Sequence, residues 1–260
     1  MGVKDYMQPL NFLRELSGKN RTHRANQQLG VALAFVAGAV NAGGFLAVHQ
    51  YTSHMTGFMS AVSDNLIVGN AILVIAGIGS MISFVSGAAA TSIMVNWARH
   101  RNLHSTYAIV LIAEAVLLLL FGLLGANLDA YLDITVPLTV ILLCFIMGLQ
   151  NAVITKMSDA NIRATHLTGV VTDLGIELGK MLYWNHRHAR NAEGYVRARH
   201  EKVIFYGALL TMFFIGGILG AVGFKYIGYS TVLPLALVLF VIALIPLVDD
   251  AVVRFRDLRT

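Results

Sequence analysis

Charge is what this sequence has least of. Only 13% of its 260 residues are charged, about half the share of a soluble domain, and that scarcity argues against an ordinary water-facing surface. Cysteine is nearly absent too. The single thiol, Cys144, rules out an intramolecular disulfide and a Cys-rich metal site, and in an apolar stretch it reads as inert packing. There is no G-x-S-x-G and no H-E-x-x-H, the signatures of a serine hydrolase elbow and of a zinc peptidase helix. No catalytic residue is assigned, and the expectation is a protein that is not an enzyme. The first 27 residues are polar and basic, without an apolar core and a small-residue cleavage site, so no cleaved signal peptide is expected.

What is abundant is apolar sequence. Hydrophobic residues make up 57% of the chain, and the mean hydropathy is +0.68. They fall into six stretches, 28–48, 71–97, 105–125, 134–155, 203–224 and 230–248, each near the ~20 residues needed to cross a hydrocarbon core. Five carry no Asp, Glu, Lys or Arg; the third carries Glu114. With an inside start, 18 of the 19 basic side chains fall on the cytoplasmic side, and Lys225 alone is external. The positive-inside rule predicts that bias. It gives a multi-pass inner-membrane protein with both termini cytoplasmic. The basic pI is then a topology signal, and no nucleic-acid partner is expected. Segment 1–27, with Leu10, Leu13 and Leu16 a turn apart, reads as a short amphipathic helix on the cytoplasmic surface.

The chain repeats itself. "GAVNAGGFLAVHQYTSHMTG" from Gly38 and "GLQNAVITKMSDANIRATHLTG" from Gly148 share G-x-x-N-A and [ST]-H-x-T-G. Asn41 matches Asn151, His54 matches His166, and "FVSG" at Phe84 matches "FIGG" at Phe214, an offset of 130. The organisation expected is a first three-helix repeat over 28–125, an external linker 126–133, a second repeat over 134–248 with a basic cytoplasmic loop 185–202, and a cytoplasmic tail 249–260. Three crossings per half reverse the direction of insertion. The fold class is therefore an all-α membrane protein of six spans arranged as a 3+3 inverted repeat. The semi-polar segments 55–69 and 167–184 read as two non-spanning half-helices. Such irregular backbone is tolerable only when covered by protein or a water-filled cavity.

Those half-helices carry the candidate chemistry. Each begins with Thr-Gly, Thr56-Gly57 and Thr168-Gly169, and a helix start presents N–H groups and partial positive charge to an anion or a polar acceptor. His54 and His166 can relay a proton, and Arg163 adds fixed charge. Thr hydroxyls serve equally well as plain helix caps. Asn41 and Asn151 are either substrate contacts or polar glue between helices. Asp64, Asp173 and Glu177 look buried in the half-helices and, with Glu114, are the proton-coupling candidates; Glu114 reads alternatively as a structural partner for a His. Gly79, Ser83, Gly87 and Thr91 step every four residues and, like Gly216 and Gly220, read as a close-packing stripe. "ARHRNLH" at Ala98 and "HRHAR" at His186 are anchoring charge, not metal sites.

On "NAGGF" at Asn41, "TSHMTG" at Thr52 and "NA…THLTG" from Asn151, the chain resembles, over nearly its whole length, the YoaK-like family, small membrane proteins of unknown function also called small permeases. The resemblance implies transport and names no substrate. The function expected is a small secondary permease or channel for a small anionic or weakly acidic solute, with a midplane site between two helix starts and proton coupling open to it. The bilayer and a small molecule or ion are the expected partners, with a homo-oligomer left open, and no cofactor is expected. The rival is an intramembrane redox or binding protein in which His54 and His166 ligate haem or a metal.

Overall fold

The computed structural model describes residues 23–103, 105–127, 132–157, 167–183 and 196–257. The N-terminal amphipathic segment, Arg163, His166 and most of the basic loop lie outside the described residues. The elements are α1 (His23–Val48), α2 (Met55–Val68), α3 (Ala71–His100), α4 (Ala108–Ala126), α5 (Leu132–Met157), α6 (Leu167–Leu182) and α7 (His200–Tyr226), then a 3₁₀ turn (Gly228–Thr231) and α8 (Val232–Asp257). Among the described residues there is no strand.

Helices α1, α3, α4, α5 and α7 are each long and apolar enough to cross a membrane. The sixth expected span, 230–248, coincides with the end of the 3₁₀ turn and the first part of α8. The two motif helices differ in kind. With 14 and 16 residues, α2 and α6 measure about 21 and 24 Å at 1.5 Å per residue, short of a core of about 30 Å. Helix α2 ends at Gly69, whose φ of +81° lies in the left-handed region that glycine adopts without strain. The chain turns straight into α3, where the Asn70 side chain accepts a hydrogen bond from the Leu73 amide at 3.3 Å.

The spans are interleaved rather than stacked in sequence order. Helix α1 packs chiefly on α7, and α5 chiefly on α3; α2 rests on α3, α6 on α7, and α4 on α8. Apolar burial gives no net drive between helices surrounded by lipid, so close backbone approach and hydrogen bonds must hold these contacts. Glycines supply the approach. A Cβ at Gly38 would run into the carbonyl oxygen of Phe213, and one at Gly148 into that of Phe84. One at Gly87 would meet the Phe145 carbonyl, and one at Gly216 that of Phe35. Hydroxyls extend the α3–α5 contact: Ser83 donates to the Ile141 carbonyl at 2.7 Å, and Thr91 to that of Leu149 at 2.9 Å.

Two expectations are corrected here. Gly79 takes no part in the stripe, because a Cβ there would meet nothing within 4 Å. The phenylalanine match shifts by one residue. Gly87 faces the Phe145 carbonyl as Gly216 faces that of Phe35, and the Phe84 carbonyl faces Gly148 as that of Phe213 faces Gly38. Gly87 therefore corresponds to Gly216 and Phe84 to Phe213, an offset of 129 and not 130. The letters F-x-x-G fit either register, and only the facing helix distinguishes them.

The interior is formed by Leu29, Leu33, Val36 and Val40 of α1, Leu111, Leu118 and Phe121 of α4, and Leu143, Ile146 and Leu149 of α5, all fully buried. On α3 and α7, Ile75, Ile82, Val85, Phe214 and Leu219 point outward, as lipid-facing side chains do.

Candidate functional site

The site begins with the bend after α1. Apolar α1 continues through the N-A-G-G-F motif, where each residue meets a different neighbour. Gly43 lies under the Phe224 ring, so any Cβ would strike it, and Gly44 faces Leu143. Phe45 stacks on Tyr51, ring centroids 4.7 Å apart and planes 15° apart. Asn41 accepts a hydrogen bond from the Ser53 hydroxyl at 2.9 Å. Residues 49–54 are thereby folded back beside α1, and α2 starts beside the span and not beyond its end.

At that start His54 occupies the cap position with φ −94° and ψ 71°, and makes no side-chain capping bond. Its ring lies over Gly57, where a Cβ would stand 2.6 Å from Nδ1. The glycine therefore makes room for the imidazole and not for backbone. On the other side α6 starts at Leu167, followed by Thr168; Thr172 donates to the Thr168 carbonyl at 2.8 Å.

Both starts open into one cavity of about 730 Å³. Its polar lining comprises Asn41, Ser53, His54 and Thr56 from the first half, and Asn151, Thr155, Lys156 and Thr168 from the second. Phe84 and Phe213, the two residues that the helix contacts pair, close its sides. Of the candidate binding residues, Asn41, His54, Thr56, Asn151 and Thr168 are thus brought together. Gly57 supports the His54 ring, Gly169 follows Thr168 in the first turn of α6, and His166 and Arg163 are outside the described residues.

Lys156 was not among the candidates. Sequence reading assigns it to the cytoplasmic loop, whereas α5 continues to Met157 and carries it in its last turn. Its backbone carbonyl accepts from the Tyr107 hydroxyl at 3.2 Å, and that hydroxyl in turn accepts from Arg99 at 2.8 Å. The signal that could have found Lys156 is periodicity: Asn151, Ala152, Thr155 and Lys156 form one helical face.

The acidic candidates are elsewhere. Asp64 and Asp173 are exposed on α2 and α6, correcting the expectation that both are buried. Glu177 is buried, and its carboxylate accepts from the Arg199 amide at 2.8 Å and from Lys180 at 2.9 Å. The Arg199 amide first, and Lys180 after it, hold this carboxyl below the usual carboxylate range. Glu114 is fully buried on α4, and among the described residues neither carboxyl oxygen has a hydrogen-bond partner. None of the four acids lines the cavity. Among the described residues, no three His, Cys, Asp or Glu side chains gather where they could hold a metal.

A family model described as a protein of unknown function (DUF1275) matches residues 29–245. The chain is 29% identical to the UPF0700 transmembrane protein YoaK of Bacillus subtilis (strain 168) over 155 residues, 58% of this chain and 67% of that protein. No solved structure matches the chain.

Proposed function

Because this multi-pass membrane protein belongs to the DUF1275, YoaK-like family of unknown function, we propose its role from the cavity itself: a small permease of the inner membrane, with both termini cytoplasmic, that moves a small anionic or weakly acidic solute. The observation that carries this reading is the meeting of two uncrossed helix starts, at His54–Thr56 and Leu167–Thr168, on one polar cavity. Polar groups at membrane depth are costly to maintain, and a substrate path is the usual reason for them.

The halves form an inverted repeat in this reading. The reciprocal contacts support it: α1 lies on α7 as α5 lies on α3, with matched glycines at matched carbonyls. An axis in the membrane plane would bring α2 in from one face and α6 from the other, with their positive ends toward a shared substrate. Lys156 contributes fixed positive charge, and His54 is the cavity group suited to accept a proton travelling with the solute. Asn41 and Asn151 offer amide donors to the solute's oxygens. Transport needs no covalent chemistry, and none is assigned.

The test is thiol labelling of Thr56→Cys and Thr168→Cys in a Cys144→Ala background, in oriented vesicles, with a small charged methanethiosulfonate applied from either side. Both positions should react, and an added solute that occupies the site should protect both. A pair of cysteines that stays unreactive from both sides would show the cavity to be sealed and the permease reading wrong.

A further inference from the structure

The cavity does not end at its polar lining. Asn41, Tyr51, Leu167 and Phe213 also border a second hollow of about 700 Å³ along the junction of α1 and α7. Beyond these four its walls are apolar: Phe45, Leu46, Phe214 and Ile218 are all exposed on it. Both helices are long and apolar enough to cross a membrane, and the exposed apolar walls of the groove suit hydrocarbon. Tyr51, stacked on Phe45, stands at the junction of the two spaces. A polar chamber that continues into a lipid-facing trough suits a molecule with both characters. Each space alone is of small-molecule size, a range of about 300–1,000 Å³.

The lining decides the sign of the polar end. Its basic groups are Lys156 and His54, and among the described residues no carboxylate lines it. The starts of α2 and α6 add their partial positive charge. A cationic head would meet repulsion there, and among the described lining residues a neutral one would leave Lys156 without a counter-charge.

We infer that the substrate is a single-chain amphiphilic carboxylate, a fatty acid of medium length, whose carboxylate sits in the cavity at Lys156 and His54 and whose chain lies in the groove between α1 and α7. The inference rests on the permease reading of the same cavity and specifies its substrate class. It also gives the groove a role: the chain need never leave an apolar surface as the head enters from the bilayer.

Protection of the Thr56→Cys thiol measures occupancy with defined probes. Decanoate should protect at a concentration at least ten-fold below acetate. Ala221→Phe fills the groove without touching the polar chamber and should abolish that difference while leaving the unprotected labelling rate unchanged. Phe214→Ala, a change at an exposed wall, should narrow it several-fold, and decides the matter if Ala221→Phe does not fold. Lys156→Gln should weaken protection by both carboxylates. Equal protection by decanoate and acetate, or protection by decanol as good as that by decanoate, would overturn the fatty-acid assignment, as would protection by phosphatidylglycerol vesicles at decanoate's potency. In those three cases the labelled cysteine leaves the permease reading standing. No labelling at either cysteine without ligand would remove both.

Discussion

Ser53 donates a hydrogen bond to the side-chain oxygen of Asn41, 2.9 Å away and twelve residues earlier in the chain. This one bond ties the segment before α2 to the side of α1, and thereby sets where the first helix start points. A bond of this kind contributes about 1 kcal/mol net. Ser53→Ala and Asn41→Ala are each expected to lower stability by about that amount. A double-mutant cycle read by thermal unfolding in detergent should give a coupling of about 0.5–1.5 kcal/mol. Additive losses would mean that the two side chains do not interact.

Glycine substitutions should divide sharply by what each glycine faces. At Gly38, Gly87, Gly148 and Gly216 a methyl would collide with a carbonyl of the opposing helix, and backbone cannot swing aside. Alanine at any one of these positions should cost about 1–3 kcal/mol. Alanine at Gly79, where a Cβ meets nothing within 4 Å, should leave the melting temperature unchanged or raise it, since alanine favours helix by up to about 1 kcal/mol. A destabilised Gly79→Ala alongside a neutral Gly87→Ala would reverse the assignment of the packing face.

Glu177 should impose an acid-side loss of stability. Its folded carboxyl, hydrogen-bonded first by the Arg199 amide and then by Lys180, lies below the ordinary value of 4.5. The folded state therefore binds this proton less readily than the unfolded chain. The contribution is complete above the unfolded value and disappears as pH falls through the folded one. Melting curves of the wild type and Glu177→Gln should differ at neutral pH, and the difference should shrink as pH falls below the ordinary carboxylate value and through the lowered folded one. A difference that is constant with pH would mean the carboxylate charge plays no part.

The orientation is testable without a substrate. Reporter fusions after residues 70, 130, 190 and 260 should read outside, outside, inside and inside, as the distribution of Lys and Arg requires. A cytoplasmic signal at residue 70 would make α2 a crossing helix. Its 14 residues would then have to span a locally thinned bilayer.

Much of the architecture was legible in the linear sequence because a bilayer is an undemanding reader. Length and lack of charge suffice to mark a span, and α1, α3, α4, α5 and α7 follow from that alone. The paired motifs were legible for a second reason. Threonine, glycine and histidine at a helix start are local features, and His54, Thr56 and Thr168 lie where their own backbone turns into a helix. The side chain-to-neighbour relationships were not legible. Asp64 and Asp173 share the pattern of buried acids, and only the packing of α2 on α3 and α6 on α7 leaves both exposed. Lys156 resembles every other basic residue at a membrane edge until one more turn of α5 brings it to the cavity. The residue-by-residue correspondence of α3 with α7 was undecidable to within a residue, since F-x-x-G fits both ways and the choice belongs to their contacts with α5 and α1. The five apolar segments long enough to span and the starts of the two motif helices could be read from the residues alone, because hydration and the turning of the backbone are local. Tertiary structure decided which side chains face the cavity, because contacts between helices surrounded by lipid depend on shape and close approach, which composition does not record.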